Sequence, residues 1–583
     1  MTRTGLVLAV LVTLAVPVGL AAQRAEELYQ RGLVQEHANG DLEQAIALYG
    51  QAARTAGTNR ALAAKALMRM AGSREKLGQN AEAAKAYAEL VTAYPEQRAE
   101  VAIAQDRLKA LRQAMRAGGL KASGNQSQEA LTRTASASDG SLLTRPLFES
   151  YCASCHNAGN RAGGLDLDSP SRRSVSENPA LWEKVTRRLQ ARRDPPIGAP
   201  RPDDATYRGL VSRLEELLDA AYAANRTLLP AERVSDTGLA ARLAAFLWNS
   251  VPDALLLEAA RRGDLHDPAV LNRQVIRMLR DPKSVSLVNN LFAPWLSLDR
   301  LKTAQPDPSA YPRFDAALLQ AMDTETRLFL QSQLREDRDA VELWTANYTY
   351  VNERLARHYG FSGGLSEGLS GIRGQEFRRV IWPTTNRAGL LGQAGPLTAL
   401  SVAARTSPTV RGLFVLTRFL GMDPPSPPAN VPALVEPPAN QGGTMRDRMM
   451  AHKTNPSCAN CHAMFDPLGL ALENFDATGG WRITDGGLPI DASGTFIDGT
   501  RFNGPAELRA GLLKYRDAYY MGVTQRLLAY ALNRKGKAGR VYDYEMPAVR
   551  KIVHDASPDG YRWSSILAGI GASAPFQMKN VVP

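Results

Sequence analysis

The stretch Leu147-Phe-Glu-Ser-Tyr-Cys-Ala-Ser-Cys-His156, repeated in kind at Asn455-Pro-Ser-Cys-Ala-Asn-Cys-His462, decides how this chain is read. These two C-x-x-C-H motifs hold all four cysteines of the 583 residues. Two thiols spaced by two residues can reach the two vinyl groups of one haem and form thioethers. The histidine that follows then sits under the iron as an axial ligand. Covalent attachment also retains the cofactor in a small fold that buries little of it. The motifs therefore predict one haem c at Cys152, Cys155 and His156 and a second at Cys458, Cys461 and His462, with His156 and His462 as axial iron ligands. The alternatives are a zinc site joining both pairs, a thioredoxin-like redox pair, and two disulfides. Zinc would take four thiolates and leave both histidines accidental. A redox pair wants a βαβ context, and disulfides explain neither the equal spacing nor the histidines.

Working outward, the sixth coordination position decides whether a haem carries electrons or binds a small ligand. Donors are scarce around the first motif: no Met lies between Met115 and Met278, and no His between His156 and His266. Either His266 or Met278 reaches over from the next domain, or the iron is five-coordinate. The second motif has Met521, Met546 and Met578 downstream and His452 and Met449 upstream as distal candidates. Met464 is too close to His462 to reach the opposite face. The ordinary role of each such Met is core packing. No catalytic residue is singled out. Trp481 and Arg482 could hydrogen-bond haem propionates, but with Asp466, Glu473 and Asp476 they are also the stuff of helix caps and salt bridges. Asp485, Asp491 and Asp498 form a weaker cation candidate.

The rest of the chain predicts a mainly α protein: a helical repeat cap, a cytochrome c-like module, a large helical middle, and a C-terminal helical haem module with a short β-hairpin. Met1-Thr-Arg-Thr4, the apolar run Gly5 to Leu20 and the small residues up to Ala22 read as a signal peptide over 1–22, which implies export to the periplasm. An uncleaved N-terminal anchor is the alternative, and no later segment is apolar enough to span a membrane. Residues 23–115 are amphipathic helices whose turns at Gly40 and Gly78 recur after 38 residues, as in tetratricopeptide repeats that bind a protein partner. Residues 116–143 are a Gly/Ser-rich linker, and 144–225 the first cytochrome module. Helical domains follow over 230–295 and 296–422, then a Pro-rich linker over 423–443. Residues 444–510 hold the second haem motif, with a hairpin expected at Leu488–Phe502, and 511–583 close the chain as helices. The formal charge of +12 is scattered. It favours an acidic redox partner protein and, without a basic stripe or a recognisable module, no nucleic acid.

From about residue 146 onward the chain resembles the large planctomycete- and acidobacterium-type cytochrome proteins built from the DUF1587, DUF1595, DUF1592, DUF1588 and DUF1585 set. The resemblance is carried by Tyr151 to His156, Ala162-Gly-Gly-Leu-Asp-Leu167, Pro195-Pro196, Val251-Pro-Asp253, Gly263-Asp-Leu-His-Asp-Pro268 and Asn347 to Leu355. It continues through His358-Tyr-Gly360, Arg405-Thr-Ser-Pro408 with Arg411-Gly412, Cys458 to His462, Asp466-Pro-Leu-Gly469, Leu472 to Asp476 and Pro575 to Met578. It implies that 230–295 is DUF1595-like, 296–422 DUF1592-like, 444–510 DUF1588-like and 511–583 DUF1585-like. It further implies two covalently bound haem c groups (iron) in a periplasmic protein, but no settled reaction. Where the family carries Met-Pro-Pro this chain has Asp194-Pro195-Pro196. That Met is the family's distal ligand, so its loss implies an open or weakly ligated first iron. The function expected is a dihaem c-type cytochrome in electron transfer. The alternatives are a peroxidase- or oxygenase-like haem enzyme and a repeat-based scaffold in a periplasmic redox complex.

Overall fold

A computed structural model describes residues 18–36, 42–77, 79–118, 145–167, 174–196, 199–224, 232–361, 372–424, 443–452, 456–534 and 541–579. The chain is mainly helical, 63% helix against 6% strand, as its patterning predicts. Most of the expected signal segment, the linker beyond Gly118, most of the Pro-rich linker, and the turns at Gly40 and Gly78 lie outside the described residues. The chain divides into two compact units. One comprises 1–137 with 197–200 and 453–459; the other comprises 138–196, 201–452 and 460–583.

In the first unit, helices Val18–Val34, Leu42–Thr55, Arg60–Lys76, Asn80–Ala93 and Arg98–Gly118 each pack on the next. Their shared core is built from small residues, among them Ala45, Ala64, Ala71, Ala83 and Ala86, around Tyr49, Leu67, Tyr87 and Leu90. Small side chains let the helices approach closely. A Cβ on Gly32, for example, would lie 2.6 Å from the Tyr49 ring.

In the second unit, several residues that carry the family resemblance turn out to be helix caps. Asp253 accepts from the Leu256 amide and starts helix Ala254–Arg261. Asp267, with Pro268 at the first helical position, starts Pro268–Arg280, and Asn352 starts Glu353–His358. Gly263 and Gly360 take left-handed backbone (φ 73° and 76°) just beyond their helices, where a Cβ is strained. Helix Ala316–Arg335, capped by Asp315, packs against an antiparallel pair, Tyr348–Val351 with Arg378–Ile381. The expected hairpin exists as two short ones, Thr484–Asp485 with Leu488–Pro489 and Ser493–Thr495 with Arg501–Asn503. Gly486, Gly487 and Gly499, all at positive φ, make their turns.

One buried cluster runs from Leu239 through Phe292, Trp344 and Phe414 to Tyr519 and Phe576, so the stretches after residue 230 share a core. The end of the chain returns to its middle, where Met578–Lys579 pairs with Glu232–Arg233. The small module over 145–224 has its own core of Leu167, Trp182, Leu189, Tyr207, Leu214 and Leu218. Buried Arg550 docks it onto helix Met546–Ala556 through Glu183 at 2.7 Å and through Asp219.

The closest approach in this unit is between helices Pro408–Arg418 and Pro456–Leu470. A Cβ on Gly412 would lie 1.7 Å from the Phe465 carbonyl oxygen, and one on Gly469 would lie 1.8 Å from that of Pro408. Beside the crossing the Arg411 guanidinium is fully buried. It donates to the carbonyls of Leu472 (2.9 Å), Phe475 (2.6 Å) and Asp476 (2.7 Å), which fastens the segment after the second motif.

We expect Gly412→Ala and Gly469→Ala each to cost about 3 kcal/mol in urea unfolding, because only backbone can yield to the new methyl. Gly209→Ala, in helix Asp204–Ala224 with nothing within 4 Å, should be neutral or stabilising by up to about 1 kcal/mol. Equal effects at all three would show that the crossing is not tight.

Candidate functional site

Helix Pro456–Leu470 carries Cys458, Cys461 and His462, and the i, i+3, i+4 spacing puts these positions on one face. The side chains of Cys458, Cys461 and His452 lie outside the described residues. His462 is described. Its Nδ1 lies 3.0 Å from Oδ2 of Asp466, one turn on, and its ring packs 5.0 Å from that of Phe465. Asp466 is fully buried, and its Oδ1 accepts the Thr409 hydroxyl at 3.0 Å. A carboxylate beside Nδ1 keeps the proton there, so Nε2 presents its lone pair. That is the arrangement by which an outer carboxylate orients a metal-binding histidine.

The residues that brace this helix come from the stretch 405–412. Thr406 donates to Glu473 (2.8 Å), Thr409 to Asp466, Arg411 to the carbonyls beyond, and Gly412 gives the close crossing. Arg482 is committed to Glu473 (2.9 Å) and Asp485 (2.8 Å), and Trp481 lies edge-on against Phe475. These two therefore act as salt bridge and packing. The three acids of the cation candidate each face a different base: Arg482 and Arg448 for Asp485, Arg446 for Asp491, Lys514 for Asp498. Among the described residues no three His, Cys, Asp or Glu side chains converge as metal ligands.

At the first motif, helix Arg145–Tyr151 ends and the chain turns, with the His156 amide bonded to the Cys152 carbonyl at 3.0 Å. This again sets cysteine and histidine one turn apart. Cys152 and Cys155 are free thiols, not a disulfide. Cys152 packs against the module's core, and burial pushes its thiol up to about 11, with Asp194 and Cys155 adding to the shift. Among the described residues Nδ1 of His156 is buried without a hydrogen-bond partner. Asp194, where the family's Met would stand, is held by Arg188 (2.8 Å from Nη2 to Oδ1). Its carbonyl accepts the Tyr207 hydroxyl at 2.9 Å, so position 194 is spent on structure.

Of the distal candidates, His266 has both nitrogens engaged: Nε2 lies 3.1 Å from the Val234 carbonyl and Nδ1 lies 3.3 Å from Gln577 Oε1. Its position is that of a tie between chain end and middle. Met278 and Met546 are packed in the large core. Met578 lies in the terminal strand pair. Met521 is buried yet lines a cavity. The supports Thr409 and Thr406 are new from the structure. Only the i, i+4 spacing of His462 and Asp466 signals the pairing in the sequence.

Three family models match the chain in order, each described as a protein of unknown function: DUF1592 over 234–361, DUF1588 over 387–485 and DUF1585 over 498–576. A tetratricopeptide repeat matches 65–96, the helices Arg60–Lys76 and Asn80–Ala93. The chain thus carries three domains of the set that the resemblance implies, DUF1592, DUF1588 and DUF1585, with a repeat in front of them. The DUF1592 match covers a stretch that the sequence reading divides at 295. The DUF1588 match takes in both the 405–412 brace and the second motif. No curated protein and no solved structure matches.

Removing a partner from a buried carboxylate strands it. Thr409→Val should cost about 1 kcal/mol of unfolding free energy and Asp466→Ala about 2–3 kcal/mol. In the double variant the two costs should fall short of adding, since both act through one carboxylate. Full additivity would show that they are independent.

Proposed function

We propose that this chain of tetratricopeptide repeat, DUF1592, DUF1588 and DUF1585 domains is an exported dihaem c-type cytochrome of the periplasm that transfers electrons. The observation that carries the reading is the His462–Asp466–Thr409 chain beneath a C-x-x-C-H motif, because it sets one imidazole nitrogen for a metal and braces the other from a fully buried acid. Cys458 and Cys461 would hold the porphyrin there, and Cys152, Cys155 and His156 would hold another. The group supplies one-electron chemistry when bound. What the chain supplies is attachment, axial ligation and electrostatics. Free thiols at Cys152 and Cys155 and the unpartnered His156 nitrogen fit the same group.

The two sites differ in ways that bear on function. Asp466 would make His462 the more electron-rich ligand and, with iron bound, would favour its oxidised form. At the first motif Arg188 holds Asp194, so the loop offers no soft donor, and this supports binding of a small ligand such as peroxide there. The front repeats fit the docking of a partner protein. Among the described residues no helix is long and apolar enough to cross a membrane.

Expression with c-type maturation and spectra of the oxidised, reduced and CO-treated protein test the reading. We expect CO to perturb one haem of the two. CO binding to neither would remove the small-ligand role, and no haem signal would refute the whole. Asp466→Asn should raise the midpoint potential of the second haem and leave the first unchanged. An equal shift of both would mean that Asp466 acts on the fold rather than on His462.

A further inference from the structure

The second unit contains a cavity of about 1300 Å³, above the volume of most small-molecule sites. Its walls come from helix Pro179–Gln190, the π-helical turn Val288–Phe292, the end of helix Pro408–Arg418 and helix Arg516–Ala531. A π-turn is a rare distortion that recurs at functional sites, and here Asn290 and Leu291 on it face the cavity. Seven Lys or Arg side chains line the space against two acids, Asp423 and Asp543.

Several of these cations are already paired. Arg187 faces Asp543 at 3.4 Å, Arg188 is bonded to Asp194, and Arg534 forms a two-point pair with Glu545. Arg418 and Arg526 are not. Among the described residues Nε of Arg418 is buried without a partner, and the one hydrogen bond of its side chain is a long one to Thr417 Oγ1 at 3.4 Å. Among the described residues Arg526 has no ion-pair or hydrogen-bond partner. Burial lowers Arg418 to about 10, with the Arg526 charge pushing the same way, and burial also lowers Arg526. Two half-buried guanidinium groups that repel each other, with no ion-pair partner among the described residues, lower stability and persist where an anion will sit. Phe246, Trp295 and Met521 supply apolar wall beside them.

We propose that this cavity binds an amphipathic organic acid, with the carboxylate held between Arg418 and Arg526 and the apolar body against Phe246, Trp295 and Met521. A carboxylate of this kind has two sources, a free organic acid or the propionates of a tethered porphyrin. Only the second source rests on the dihaem reading.

The matured protein is titrated by calorimetry with 1-pyrenebutyrate and with the uncharged 1-pyrenebutanol. We expect the acid to bind at least about tenfold more tightly, and Arg418→Gln and Arg526→Gln each to weaken it by about tenfold, the worth of one charge-assisted hydrogen bond. Arg213→Gln, on an exposed helix face, should leave binding unchanged. Each cavity variant should also raise the melting temperature of the ligand-free protein, whereas a structural arginine would lower it. The same titration on matured Cys152→Ala/Cys155→Ala separates the sources. Binding by both proteins means a free acid; binding by the variant alone means that the first porphyrin's own carboxylates fill the site. No binding by either protein, equal affinity for acid and alcohol, or unchanged affinity in both arginine variants would overturn the proposal.

Discussion

The second unit depends on a crossing where two helices meet backbone to backbone. Gly412 and Gly469 leave no room for a methyl at either side of it. That contact fixes the height of helix Pro456–Leu470 against Pro408–Arg418. The fixed height lets Thr409 reach Asp466, which already meets His462 one turn back on the same helix. Close packing of this kind transmits position without slack, because a packed interior has few voids to absorb a shift. Arg411 completes the joint. A buried guanidinium costs several kcal/mol unless its donors are met, and here its two terminal nitrogens donate to the carbonyls of Leu472, Phe475 and Asp476, in the chain that curls back after helix Pro456–Leu470, with a longer contact to that of Leu397.

Electrostatics distinguish the two C-x-x-C-H motifs that the sequence presents as equals. One histidine stands over a buried acid held by a threonine; the other has a buried nitrogen with no hydrogen-bond partner among the described residues. Around the first motif the nearest acid, Asp194, is turned to Arg188 and raises the Cys152 thiol further. On the proposed reading, the second motif would offer an electron-rich ligand and the first a ligand-poor loop, which suits a division between carrying electrons and meeting a small molecule.

Much of this was legible before any coordinates. Helices announced themselves through their apolar period, whereas Asp253, Asp267 and Asn352, read in the sequence only as letters of a resemblance, prove to be caps whose oxygens meet free amides. The hairpin turns followed from glycines that tolerate positive φ. What stayed hidden was long-range. Arg411 finds its carbonyls some sixty residues away, Arg550 reaches back to Glu183 across 367, and neither pairing leaves a local trace. Divisions drawn at linkers and motif gaps missed that Leu239, Phe414 and Phe576 share one core. The cationic cavity was invisible for the same reason, since its walls come from residues as distant as Lys184 and Asp543. Motif residues such as Arg411 and Gly412 read as signature letters in the sequence and as supports in the fold.

The central claim is that each motif holds a haem through its own two cysteines. Intact mass of the exported, matured chain, followed by mass mapping of its tryptic peptides, tests it most directly. The account predicts two haem adducts per chain, one on the peptide with Cys152 and Cys155 and one on that with Cys458 and Cys461. An unmodified chain, a disulfide within either pair, or zinc retained in place of haem would contradict it.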